Sequence, residues 1–148
     1  MTFSLKCPFH VFVAGATAST AAIFMFMHFF SNRRSIKRYD VDARFTDAAS
    51  YEGPLVFISG QVGDGKTIEE QTASALKYVD DALKKAGTDK SRILEATIWL
   101  SDINAYYAGM NKVYDQWIVP GKPPCRACVE AKLAAPQYLV EVRVIAAK

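Results

Sequence analysis

Acidic residues are missing from the first 39 positions: the first is Asp40, while Lys6, Arg33, Arg34, Lys37 and Arg38 all precede it. Cysteine is scarce, with 3 in 148 residues, and histidine scarcer, with 2. Three thiols cannot build the disulfide framework of a small secreted domain. Cys125 and Cys128 stand as C-x-x-C, but no second pair and no neighbouring histidine completes a zinc site. The pair leads into a β-forming stretch, whereas a thioredoxin-like motif sits at a helix N-terminus. Reduced thiols follow, and neither a metal nor a cofactor is expected. No internal repeat or low-complexity tract is present, which excludes solenoids and linker-rich arrays. A basic surface is also missing. The formal charge is +3, but without the five leading bases the chain has 13 bases against 15 acids, a net of −2. That mildly acidic remainder, with no basic and aromatic-studded face, argues against a nucleic-acid partner.

What is present begins with an apolar run, Val11 to Phe30, broken only by small polar residues and His28. At about twenty residues it is long enough to span a bilayer. Four bases follow it within Arg33 to Arg38 and only Lys6 precedes it. If it spans, the positive-inside rule keeps the rest on the cytoplasmic side. The lack of acids also suits an organelle transit peptide, and an upstream start ahead of Met25 or Met27 is a third reading. Residues 1–35 are taken as a targeting or anchoring segment outside the fold, with the domain in 36–148. The expected location is the cytosol or the mitochondrion, with membrane attachment through 11–30 as the alternative.

From Ile36 the pattern becomes globular. Strands are expected at Ile36–Val41, Asp47–Tyr51 and Leu55–Ser59. A helix is expected at Ile68–Lys85, with Ile68, Thr72, Ala75, Leu76, Val79 and Leu83 on one stripe. Thr67 and Glu70 form a capping box at its start and Gly87 caps its end. Ile93–Leu100 reads as a strand. Ile103–Trp117 reads as a second helix, with Tyr106, Met110, Val113 or Tyr114, and Trp117 inward. The order β-β-β-α-β-α-β-β predicts an α+β domain, a mixed sheet with both helices on one face. Gly60-Gln61-Val62-Gly63-Asp64-Gly65-Lys66-Thr67 matches the P-loop pattern letter for letter. A P-loop domain needs a larger doubly wound sheet than about 110 residues supply, and the last third reads β-β with no helix between. A glycine-rich loop before a capped helix is the reading kept.

The chemistry concentrates near the C-terminus. Pro123-Pro124-Cys125-Arg126-Ala127-Cys128-Val129-Glu130 opens extended and enters a strand. A second strand, Tyr138–Ile145, alternates strictly, with Leu139, Glu141, Arg143 and Ile145 on one face. If the two strands pair, Arg126 and Glu141 come near the same end of the sheet. A guanidinium grips a carboxylate through two parallel hydrogen bonds, and a carboxylate can hold or deprotonate a water. On spacing alone the two also read as a solvated surface pair. Nothing adjacent activates Cys128 as a nucleophile.

Arg126-Ala127-Cys128-Val129-Glu130, with Glu141 15 positions after Arg126, resembles the C-terminal signature of the RidA/YjgF family. Leu55–Gln61, ending Ser59-Gly60-Gln61, Ile68–Thr72, Lys90–Leu100 and Asn111–Trp117 resemble its other segments in the same order. The likeness covers roughly Tyr39 to Lys148. It implies a chorismate-mutase-like fold and a homotrimer with sites in the clefts between subunits. It implies hydrolysis of enamine and imine intermediates, such as 2-aminoacrylate and 2-iminopropanoate, to 2-oxo acids and ammonia. Arg126 would hold the substrate carboxylate, Glu141 would position or activate water, and Ser59, Gly60 and Cys128 would line the pocket. The family's tyrosine ahead of the Ser-Gly-Gln strand is replaced here, with Phe45 in its place. The competing class is a non-catalytic, trimeric small-carboxylate-binding or chaperone-like regulatory module.

Overall fold

In a computed structural model the described residues run from Arg34 to Lys148. The apolar run Val11–Phe30 lies outside them, and so does its reading as anchor or transit peptide. Among the described residues no helix is long and apolar enough to cross a membrane.

The described residues form six strands and two α-helices in the order β1 (Lys37–Val41), β2 (Thr46–Ser50), β3 (Leu55–Val62), α1 (Ile68–Lys85), β4 (Ile93–Leu100), α2 (Ile103–Trp117), β5 (Cys125–Glu130) and β6 (Val140–Ala147). Both helices fall where their apolar stripes predict, and α1 also where its cap predicts. Thr67 accepts from the Glu70 amide while the Glu70 carboxylate takes the Lys66 and Thr67 amides, closing the capping box. Asp102 caps α2 by accepting from the Ala105 amide. At the far end of α1, Ala86 is the cap and Gly87 follows at φ 76°, the left-handed turn that ends many helices.

The main sheet has four strands in the order β3-β6-β4-β5, with β5 parallel to β4 and the other pairs antiparallel. This corrects one expectation: β5 and β6 do not pair, because β4 lies between them. The connection from β5 to β6 therefore passes over β4, a topology that strand-by-strand reading does not reveal. β6 also starts two residues later than its alternation suggests. Gln71 of α1 explains why, since its side chain binds the Leu139 amide and the Gln137 carbonyl in place of a neighbouring strand. β1 and β2 form a separate hairpin, pinned beside β5 by the Thr46 amide and hydroxyl on the carbonyls of Pro124 and Pro123.

One sheet face carries Ile58, Ala96, Ile98, Leu100, Val140, Val142 and Val144, all buried against Leu76, Val79 and Leu83 of α1 and Met110 and Tyr114 of α2. Each such aliphatic side chain contributes roughly 1.5–3 kcal/mol on burial. Alternation turns Phe57, Thr97, Trp99, Val129, Glu141, Arg143 and Ile145 to the opposite face, which no helix among the described residues covers. Phe57 there is 65% exposed.

Candidate active site

The register decides where the site residues go. Arg126 stands opposite Ala96 and Cys128 opposite Ile98, both helix-facing positions, so both side chains turn toward α2. Glu141 stands opposite Trp99, on the other face. Within one chain Arg126 and Glu141 are thus two strands apart, roughly 10 Å across the sheet, and on opposite faces. The expectation that they share one end of a two-stranded pair is corrected, for the same reason that β5 and β6 do not pair.

Around Arg126 the helix supplies a cradle. Its Nη2 donates to Asn111 Oδ1 at 2.8 Å and lies 3.4 Å from the Met110 sulfur, and its guanidinium sits 4.4 Å from the centre of the Tyr114 ring. Asn111 is only 5% exposed, so this contact is made out of water's reach. Burial pushes the Tyr114 phenol up to about 12, and the ring stays neutral beneath the cation. Arg126 Nε is buried with no hydrogen-bond partner among the described residues, leaving a donor uncommitted. Outside this cradle lies a cavity of about 220 Å³ lined by Arg126, Cys128, Phe45, Arg44 and Tyr107. Its walls are β5, the turn between β1 and β2, and α2. Phe45 thus reaches the pocket that the resemblance assigns it to. Burial raises the Cys128 thiol, partly offset by Arg126, so it stands as a wall. Cys125 lies on the other face of β5, because three residues along a strand reverse the side-chain direction.

Ser59, Gly60 and Glu141 form a second cluster. Between Ile58 and Gln61 the register with β6 shifts, a bulge that sets Ser59 and Gly60 against Arg143 alone. The bulge brings the Gly60 backbone beneath the Glu141 carboxylate: a Cβ on Gly60 would lie 1.8 Å from Glu141 Oε1. Gly60 therefore makes the seat in which that carboxylate rests. Of the six predicted site residues, Arg126, Cys128 and Phe45 come together, and Ser59, Gly60 and Glu141 come together elsewhere.

Four residues escaped sequence reading, Arg44, Tyr107, Asn111 and Asp115, and Tyr114 was read only as a core position. Tyr107, Asn111 and Tyr114 recur at i, i+4 and i+7, so α2 presents them along one face. A buried asparagine in that stripe was the available signal.

The Endoribonuclease L-PSP family model matches residues 35–148. A RutC family protein of Haemophilus ducreyi is 42% identical over 114 residues, covering 76% of this chain and 96% of that protein. A mitochondrial protein of Schizosaccharomyces pombe is 30% identical, covering 80% of each chain. Among solved structures, a YjgF-family member from Neisseria meningitidis aligns with TM-score 0.63 at 41% identity, covering 79% of this chain and 98% of that one.

Proposed function

Since this chain belongs to the YjgF/RutC family that the Endoribonuclease L-PSP model describes, we propose that it hydrolyses 2-imino acids and their enamine tautomers to 2-oxo acids and ammonia. The observation that carries this reading is the Arg126 guanidinium, clamped by Asn111, stacked on Tyr114 and presented to a small pocket. A guanidinium fixed by Asn111 and Tyr114 binds a carboxylate at defined orientation through its remaining N–H groups. The imine carbon next to that carboxylate is then held in place for attack. Water adds to the C=N carbon as Glu141 takes its proton. That proton passes to nitrogen, giving a carbinolamine; its hydroxyl then gives up its proton to Glu141, which hands it to nitrogen, so that the C–N bond breaks with ammonia leaving as the carbonyl forms. Cys128 and Phe45 wall the pocket, while Gly60 seats Glu141.

Arg126 and Glu141 lie on opposite faces of the sheet, so one chain cannot apply both to one small molecule. A homotrimer with open sheet faces turned inward resolves this, setting Glu141 of one copy against the Arg126 pocket of the next. The exposed Phe57 and Val129 support such packing. The mitochondrial relative supports a mitochondrial address, with residues 1–35 as a targeting segment.

The test generates imines in situ from amino acids with an amino-acid oxidase and follows trapping of the free imine. Acceleration by the wild-type chain, lost in Arg126→Ala, is the expected result. A second reading, a small-carboxylate-binding module, draws on the complete Arg126 cradle within one chain. It prevails if 2-oxo acids bind while no imine is hydrolysed faster.

A further inference from the structure

Two guanidiniums, Arg44 and Arg126, line the Arg126 pocket, and the carboxylate beside them, Asp115, is paired to Arg44 and does not cancel both. Arg44 Nε and Nη2 donate to Asp115 Oδ1 and Oδ2 at 2.6 and 2.5 Å, a two-pronged ion pair at the rim. The Arg44 hydrogen bond holds the Asp115 carboxyl below the usual carboxylate range, and Arg126 is near enough to add to the effect. Arg44 and Arg126 line the same cavity with the aromatic rings of Phe45 and Tyr107. Two guanidiniums and one carboxylate leave a net charge of +1. Within one chain a ligand carboxylate on Arg126 neutralises these three groups, and Glu141 of a neighbouring copy, set against the pocket in the proposed trimer, disfavours a second carboxylate further. A second carboxylate meets Asp115 and the aromatic walls, and the remaining guanidinium already has its fork engaged.

We propose that the Arg44–Asp115 pair determines specificity, tuning the pocket to 2-imino and 2-oxo acids with one carboxylate and an apolar side chain and against those with a second carboxylate. The choice of substrate rests on the hydrolase reading above, whereas the charge rule concerns binding alone. Asp115 acts as a screen: it keeps Arg44 from gripping a second anion while Arg44 keeps Asp115 from repelling the first. Removing either partner therefore has opposite consequences. Without the aspartate charge, Arg44 becomes a free anion clamp. Without the arginine, Asp115 faces the ligand carboxylate uncompensated.

The experiment measures calorimetric Kd values of the full chain for 2-oxobutanoate and 2-oxoglutarate, stable ligands with one and two carboxylates. The wild-type chain should bind 2-oxobutanoate at least tenfold more tightly. Asp115→Asn should shrink that preference by tenfold or more, and Asp115→Glu should retain it. Arg44→Gln should weaken 2-oxobutanoate binding by about tenfold, a loss readable even if Asp115→Asn fails to fold. No preference in the wild-type chain, no binding of either acid, or an unchanged preference in a folded Asp115→Asn overturns the proposal. If the preferences follow the rule while no imine is hydrolysed, the rim assignment stands and the hydrolase reading fails.

Discussion

Gly60 has no room for a side chain, yet what crowds it is the far end of a flexible one. A methyl group there collides with the Glu141 carboxylate at 1.8 Å and with its Cδ at 2.7 Å, not with backbone. Gly60→Ala should therefore swing Glu141 out of its seat at little cost to the fold. Differential scanning fluorimetry should find the melting temperature within a few degrees of wild type, while kcat for imine hydrolysis falls. A melting point lowered together with the rate assigns Gly60 to the fold instead. At Arg126 the geometry is a fork plus a stack, which lysine cannot reproduce. Charge-assisted hydrogen bonds contribute about 1.5–3 kcal/mol each, so Arg126→Lys should lose at least about tenfold in kcat/KM, with a larger loss in Arg126→Ala. Arg126 and Glu141 were singled out in the sequence by the resemblance around Arg126-Ala127-Cys128 and the later Glu141, and Gly60 by Ser59-Gly60-Gln61. Asn111 was not, because its neighbours Met110 and Tyr114 read as an ordinary core stripe until the side chain facing them is known.

The elements divide along the same line. α1 and α2 were legible to the residue, α1 through its Thr67–Glu70 cap and both through a 3.6-residue apolar period; the Asp102 cap of α2 came from the structure. Strand order was not legible, because a parallel edge strand leaves no mark in its own sequence. β5 could have paired with β6 as readily as with β4 on alternation alone. The P-loop match of Gly60–Thr67 shows the reverse hazard. Its first three residues belong to β3, and the Lys66 and Thr67 amides, which would cradle a phosphate, are held by the Glu70 carboxylate. Its second glycine, Gly63, serves close packing, for a Cβ there would lie 2.0 Å from the Gln71 carbonyl oxygen. Lys66→Ala should leave imine hydrolysis unchanged, and equilibrium dialysis should find no magnesium-dependent ATP binding. Glu70→Ala should instead lower stability through the lost capping box, measured by urea denaturation.

At the scale of the whole molecule, the opposite facing of Arg126 and Glu141 turns assembly into chemistry. A site built from one chain is destroyed by either substitution and cannot be restored by mixing. A site shared between neighbours in a closed ring behaves differently, because each interface takes its arginine from one subunit and its glutamate from the next. In a trimer of mixed Arg126→Ala and Glu141→Gln subunits, one of the three interfaces receives both native residues. Three quarters of randomly assorted trimers are mixed, so equal co-expression should restore about a quarter of wild-type activity. Each variant alone should remain near background, and mixing the two after assembly should recover activity only as fast as subunits exchange. Analytical ultracentrifugation should find the co-expressed species at the mass of the wild-type assembly. If the co-expressed pair stays as inactive as its parents while assembling normally, Arg126 and Glu141 do not act across an interface. Catalysis would then have to proceed from the Arg126 pocket with a different group activating water, and the carboxylate-binding module would become the stronger reading.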